Sequence, residues 1–207
     1  MRLAWLRIWR SKPWPCSGDA MARCLLVVDP QLDFIEGALP VPGAKAAMEN
    51  LADYLGASRS VYDVGIITFD SHPINHCSFQ ENGGIWPRHC AAGSSGAEIW
   101  PDLLGALSHA AGRTLVLPKG NQADREEYSI FQNPQSAARL LAALEAGEVD
   151  EIDICGLAGN VCVLNTLEDG LRSVKGARFT VLGKFSPSLD GGKALHDFCA
   201  RESVCVK

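Results

Sequence analysis

Ile152-Asp153-Ile154-Cys155-Gly156-Leu157-Ala158-Gly159-Asn160-Val161-Cys162-Val163 is the stretch that decides the fold. A short apolar run that breaks at small residues and continues into a helical pattern reads as a buried strand, a tight turn and a helix start. The helical pattern runs from Val161 to Val174, with Leu164, Leu167 and Leu171 on one face. Cys162 therefore stands where a strand of a parallel sheet hands over to a helix. Asp29, after the run Cys24–Val28, and Lys119, after Thr114–Pro118, occupy the same kind of place. Ligands of open parallel sheets bind outside the carboxyl ends of the strands. Three strands ending in a thiol, a carboxylate and an ammonium group thus predict one site assembled from distant sequence, suited to covalent attack on an acyl carbon.

Outward from this stretch, strand-like and helix-like segments alternate. Strands are expected at Cys24–Val28, Val61–Phe69, Thr114–Leu117, Glu151–Cys155 and Arg178–Leu182, with a last short one at Val204–Val206. Helices are expected at Ala44–Leu55, Pro101–His109, Ser136–Ala146, Val161–Val174 and Lys193–Arg201, with Trp100-Pro101 opening the second of these. The alternation predicts an α/β fold, a three-layer α/β/α sandwich around a mainly parallel sheet.

With 207 residues and 47% hydrophobic content, the chain can bury one substantial core. Residues 1–20, basic and rich in tryptophan, are expected to be an N-terminal extension outside that core. Residues 21–207 then form the domain, and Met21 is an alternative first residue. The net charge of -5, with Lys and Arg scattered, argues against a nucleic-acid partner. No apolar run approaches the roughly 20 residues that span a bilayer, so no membrane partner is expected. None of the eight cysteines forms a Cys-x-x-Cys pair. The expectation is a reduced, cytoplasmic protein with buried thiols. The oligomeric state is open, a homo-oligomer included.

The segment from Asp70 to about Gly96 is long for an ordinary connection, which points to function. It holds Asp70-Ser71-His72-Pro73-Ile74-Asn75-His76-Cys77-Ser78-Phe79 and then Trp86-Pro87-Arg88-His89-Cys90. Three of the chain's five histidines follow an acid at a strand end. Imidazoles with a carboxylate are a normal mixed set for a divalent metal. Asp70, His72, His76 and His89 are the candidate ligands, and Cys77 and Cys90 read as buried bystanders. Asp33 reads as structural, bonding loop backbone.

These residues resemble the nicotinamidase/pyrazinamidase branch of the isochorismatase-like cysteine hydrolases. The resemblance lies in Leu26-Val27-Val28-Asp29-Pro30-Gln31-Leu32-Asp33-Phe34, in the two histidine segments, in Lys119-Gly120 with Tyr128-Ser129-Ile130-Phe131, and in Gly156-Leu157-Ala158 before Cys162-Val163. These run in the family's order from about Leu25 to Val181. The resemblance implies an amidohydrolase acting on linear amides, deamidating nicotinamide to nicotinate and ammonia in NAD salvage. It implies Cys162 as nucleophile, Asp29 as acid and base, and Lys119 as partner. It implies metal ligands at Asp70, His72 and His89, with His76 the fourth candidate. Zinc is the first expectation, with iron and manganese as alternatives. Phe34 and Trp86 would sandwich a pyridine ring, Tyr128 would stand near the pocket, and the N–H groups of Ala158 and Cys162 would bind an oxyanion. The chain departs from the family at Gly159-Asn160-Val161, where Thr-Asp-aromatic is usual, and at Glu126, where Asp is usual. Alternatives are a cysteine hydrolase acting on another small amide, a carbamoyl compound or a vinyl ether, a metal-hydroxide hydrolase with Cys162 structural, and a silent binding protein.

Overall fold

A computed structural model describes residues 21–57 and 61–207; the expected extension at 1–20 lies outside the described residues. The elements run β1 (Arg23–Val28), α1 (Leu32–Ile35), α2 (Ala44–Gly56), β2 (Tyr62–Asp70), α3 (Pro101–Ala110) and β3 (Ala111–Lys119). There follow α4 (Pro134–Ala146), β4 (Glu151–Gly156), α5 (Leu164–Ser173), β5 (Arg178–Val181), α6 (Lys193–Glu202) and β6 (Cys205–Val206). The six strands form one sheet in the order β3-β2-β1-β4-β5-β6. Each neighbouring pair is parallel. No helix among the described residues is long and apolar enough to cross a membrane.

The period of two along β1 builds both hydrophobic layers. Leu25 and Val27 pack with α2 and α3, through residues such as Met48, Leu51, Leu103 and Leu107. Cys24, Leu26 and Val28 face the other way, toward Leu140 and Leu144 of α4, Leu167 of α5 and Phe198 of α6. A strand buried on both faces has no polar side to show, which is why it reads as an unbroken apolar run. The result is the expected three-layer sandwich. Pro101 opens α3 at its first turn, where its missing N–H costs nothing.

Three of the differences from the sequence reading bear on the site. The strand β3 extends two residues beyond Leu117, so Lys119 closes the strand rather than following it. α5 begins at Leu164, and residues Gly159–Val163 form a wider π-type turn ahead of it. Cys162 thus lies inside that turn. The four-residue α1, which carries Phe34, is too short to leave a periodic signal.

β1 sits between β2 and β4, so the strand order reverses beside it. That switch point is where open α/β sheets hold ligands. Gly156 ends β4 there with φ +128°, and a Cβ at this position would lie 2.0 Å from the Val28 carbonyl oxygen. Both the conformation and the close approach require glycine. Gly156→Ala is expected to destabilise the fold by at least about 2 kcal/mol. Urea denaturation checks this, and an unchanged midpoint would show that the backbone relaxes at no cost.

Candidate active site

Each of the four strands on one side of the sheet delivers a polar side chain to the switch point. Asp29 follows β1, Asp70 ends β2, Lys119 ends β3, and Cys162 follows β4. Asp70 and Lys119 are direct partners in the β2–β3 register. Asp29 adopts φ +48°, a left-handed conformation that Asp tolerates better than most residues. Its N–H donates to the Thr68 carbonyl at 3.1 Å, and the Thr68 hydroxyl donates to its Oδ1 at 2.7 Å. These bonds aim the other carboxylate oxygen into the site.

Lys119 is fully buried. Its ammonium pairs with Oδ2 of Asp29 at 2.8 Å and with Oδ1 of Asp70 at 2.8 Å. It also donates to the Glu127 carbonyl at 3.1 Å and lies 3.5 Å from Sγ of Cys162. Asp29, Asp70 and Cys162 each bring one ligand atom within 4.8 Å of the others. The three residues expected as nucleophile, acid–base and partner are therefore together, and a fourth group, Asp70, is tied in by the same ammonium.

Burial dominates the proton affinities. It pushes the Asp29 carboxyl up, against the pull of Lys119 and with a further push from Asp70. It also pushes the Cys162 thiol well up, with Lys119 opposing and Asp29 adding to the rise. For Lys119, burial favours the neutral amine, but Asp29, Asp70 and Cys162 outweigh it and hold the ammonium charged. The resting sulfur is thus a thiol beside a carboxylate whose basicity is raised. Proton transfer from Cys162 to Asp29 exchanges one shifted group for another and is easier than either shift alone suggests.

Beside this trio, Asp70, His72 and His89 bring ligand atoms within 4.8 Å of one another, all three residues buried. His72 Nδ1 donates to the Gly120 carbonyl at 2.8 Å, which leaves the lone pair on Nε2. That Nε2 is buried and has no hydrogen-bond partner. His89 is arranged alike, with Nδ1 donating to the Pro87 carbonyl at 2.8 Å. Burial holds the His72 imidazole neutral by lowering its pKa to about 3, although the bond to Gly120 opposes this. Two imidazoles oriented through their second nitrogen, with a carboxylate, fit a divalent cation. His72→Ala is expected to cut the divalent metal retained by purified protein by at least about tenfold. Elemental analysis measures this, and an unchanged content would dissolve the assigned set.

The fourth candidate, His76, is placed differently. Its ring stacks on His72 at 4.1 Å between centroids. Its Nδ1 meets the Ser78 hydroxyl at 2.7 Å and its Nε2 meets the Arg125 carbonyl at 3.1 Å. Both nitrogens are thus hydrogen-bonded, and His76 is not among the three residues, Asp70, His72 and His89, whose ligand atoms lie together. It forms an overlapping group with His72 and Glu126 instead.

A narrow cleft leads down to these groups. Asp70, His89, Glu126 and Cys162 provide its polar atoms, while Phe34, Trp86, Tyr128 and Ala158 form walls. Trp86 Nε1 donates to the Tyr128 hydroxyl at 3.0 Å, which fixes the two rings together. The Ala158 N–H has no hydrogen bond among the described residues. Asp33 bonds loop backbone, accepting from the N–H groups of Ala38 and Cys90.

Several site residues carried no sequence signal of their own. Gln31 is fully buried and brackets Asp70, accepting from its N–H at 2.7 Å and donating to its carbonyl at 2.8 Å. Glu127 is fully buried and accepts from the Gly120 N–H at 2.8 Å and from Asn133 at 2.9 Å, pinning the loop after β3. Leu39, Val41, Val161 and Leu189 complete the cleft.

Residues 23–183 match the Isochorismatase domain. The chain belongs to the isochorismatase family of hydrolases. It is 35% identical over 164 residues to the nicotinamidase/pyrazinamidase of Mycobacterium tuberculosis, an alignment covering 77% of this chain and 84% of that one. Among solved structures, the fold is similar to the pyrazinamidase of Pyrococcus horikoshii in complex with zinc. There the identity is 30% and the TM-score 0.74, covering 89% of this chain and 98% of that chain. It is also similar to PnC1 from L. infantum in complex with nicotinate, with 27% identity and a TM-score of 0.77 over 90% of this chain and 92% of that chain.

Proposed function

We propose that this isochorismatase-family protein hydrolyses nicotinamide to nicotinate and ammonia through a thioester on Cys162. The observation that carries this reading is the convergence of Cys162, Asp29 and Lys119 beneath an aromatic cleft, beside the Asp70–His72–His89 set. The similarity to nicotinamidases supports the choice of substrate.

The carboxamide enters with its carbonyl carbon over Sγ. The thiol proton passes to Asp29 as sulfur attacks, and the carbonyl becomes an oxyanion. The N–H groups of Ala158 and Cys162 receive that oxyanion, each such donor contributing about 3 kcal/mol. Asp29 returns the proton to the departing nitrogen, the C–N bond breaks and ammonia leaves. Water then attacks the thioester, Asp29 takes its proton, and nicotinate leaves as the thiol re-forms. Lys119 stays charged throughout and keeps Asp29 aimed between sulfur and leaving group. Phe34 and Trp86 grip the faces of the ring, and Tyr128 locks Trp86. Asp70, His72 and His89 would hold a divalent cation, zinc in the first instance, which would supply a Lewis acid to help hold the substrate ring in register. The seven free cysteines among the described residues, five of them buried, suit a reducing compartment, and we place the activity in the cytoplasm, in NAD salvage.

The test is ammonia release from nicotinamide by metal-loaded protein, with nicotinate identified by chromatography and the acyl adduct on the Cys162 peptide trapped by acid quench and mass spectrometry. Turnover of a carbamoyl compound without turnover of nicotinamide would reject the substrate, and turnover without an adduct would reject the thioester.

A further inference from the structure

Two loops border the apolar mouth of the cleft, and one of them is fastened to the turn that carries the nucleophile. Residues 186–190, after β5, run alongside the turn 159–163 and are fixed at three points. The Gly159 N–H donates to the Pro187 carbonyl at 2.8 Å. The Leu189 N–H donates to Oδ1 of Asn160 at 2.9 Å. The Asp190 carboxylate accepts from the N–H groups of Gly192 at 3.0 Å and Ala194 at 2.8 Å, anchoring the segment to the start of α6. The first contact is close: a Cβ at position 159 would stand 2.3 Å from the Ser188 hydroxyl and 2.4 Å from the Ser186 carbonyl oxygen. Gly159 and Asn160, two residues at which this chain departs from the family's usual pattern, are thus the residues that dock this segment.

The docked segment presents Leu189 to the cleft. Leu189 lines it while remaining 41% exposed, so its side chain stands at the mouth and not at the floor. Leu39, from the loop after α1, borders the same cleft. On the proposed function, the reacting carbon lies at Cys162, on the floor, and the flat ring lies between Phe34 and Trp86, in the cleft that Leu189 also lines. The edge of the ring far from the amide therefore points outward, toward Leu189.

We propose that Leu189, positioned by Asn160, is a specificity-determining residue: it closes the outer edge of the cleft and restricts substrates to single flat rings, excluding ring systems that extend toward the mouth. This rests on the proposed reading of the cleft as a heteroaryl carboxamide site. Asn160 acts through Leu189 and is a positioning residue.

The test compares wild type with Leu189→Ala, Asn160→Ala and Asn160→Asp in two arms. In the first, Cys162 is labelled with iodoacetamide or with a pyrene maleimide, and the Cys162 peptide is quantified by mass spectrometry. In the second, KM and kcat are measured for nicotinamide and for quinoline-3-carboxamide. Leu189→Ala is expected to raise the ratio of bulky to small labelling by roughly tenfold, to raise KM for nicotinamide roughly fivefold with a smaller change in kcat, and to shift kcat/KM toward the bicyclic amide. Asn160→Ala is expected to move the same quantities in the same direction. Asn160→Asp keeps an acceptor for the Leu189 N–H and is expected to restore the wild-type labelling ratio. Equal labelling ratios in wild type and Leu189→Ala would overturn the role of Leu189. Asn160→Asp behaving like Asn160→Ala would overturn the positioning role of Asn160. The labelling arm needs no substrate, so a wild-type protein inert toward nicotinamide overturns the proposed function while the labelling ratio still decides for or against Leu189.

Discussion

Replacing Cys162 with alanine is expected to lower kcat on nicotinamide by a factor on the order of 10⁴ to 10⁶, the loss typical of removing a nucleophile from a unit that acts together. The fold should survive, because the substitution removes one sulfur atom from a site already surrounded by packed residues such as Val163. The Asp29–Lys119–Asp70 ion pairs do not depend on the thiol for charge balance. The measurement is steady-state ammonia release, with circular dichroism and thermal unfolding on the same preparation. A variant that keeps its activity, and loses it only on chelation, would transfer the reaction from sulfur to the cation. A folded but inactive variant that still binds nicotinate is the expected outcome.

Lys119→Met is expected to be damaging in two separable ways. The substitution keeps much of the side chain's length but leaves two buried carboxylates, Asp29 and Asp70, without the ammonium that pairs with both. Breaking a buried pair by removing one partner costs about 3–5 kcal/mol. At about 2–4 °C per kcal/mol for a domain of this size, the unfolding midpoint should fall by roughly 6–20 °C. The second effect is on acidity. Lys119 lowers the proton affinity of Asp29, while burial and Asp70 raise it. Without the ammonium, Asp29 holds its proton to higher pH, and a protonated Asp29 cannot accept the thiol proton. The acid limb of kcat/KM should therefore move to higher pH in the variant, and a pH profile of residual activity reads the direction. A profile that keeps its acid limb while the midpoint drops would make Lys119 structural alone.

The proximity of Asp29, Lys119 and Cys162, the proposed reacting trio, was legible in the sequence because each lies at or just beyond the end of a short apolar run, and the end of a buried strand is a local signal. The candidate ligand set was legible for a similar reason: Asp70 ends β2, and His72 and His89 follow it in a segment too long to be a plain connection. The cross-link between them was not legible. Lys119 contacts Asp70 because β2 and β3 pair in a register that puts the two residues side by side, and register is a property of two strands, not of either one. The same holds for Gln31 and Glu127, polar residues whose full burial depends on partners far away in the chain. His76 had the same local credentials as His72, but Ser78 and the Arg125 carbonyl take up both of its nitrogens. The helix start was read too early because a wide turn and a first helical turn share the same small and apolar residues. Leu39 and Leu189 come from loops, where no periodicity marks an inward side chain.

The central place of β1 also sets the order in which the site can come into being. Its neighbours are β2, next in the chain, and β4, which is synthesised only after β3 and α4. A ribosome that has released β3 has already made Asp29, Asp70, His72, His89 and Lys119, the charged and ligating part of the cage. On the proposed function, partial chains ending before β4 carry the candidate cation ligands without the nucleophile, and the site is complete only once the chain beyond β4 has joined β1.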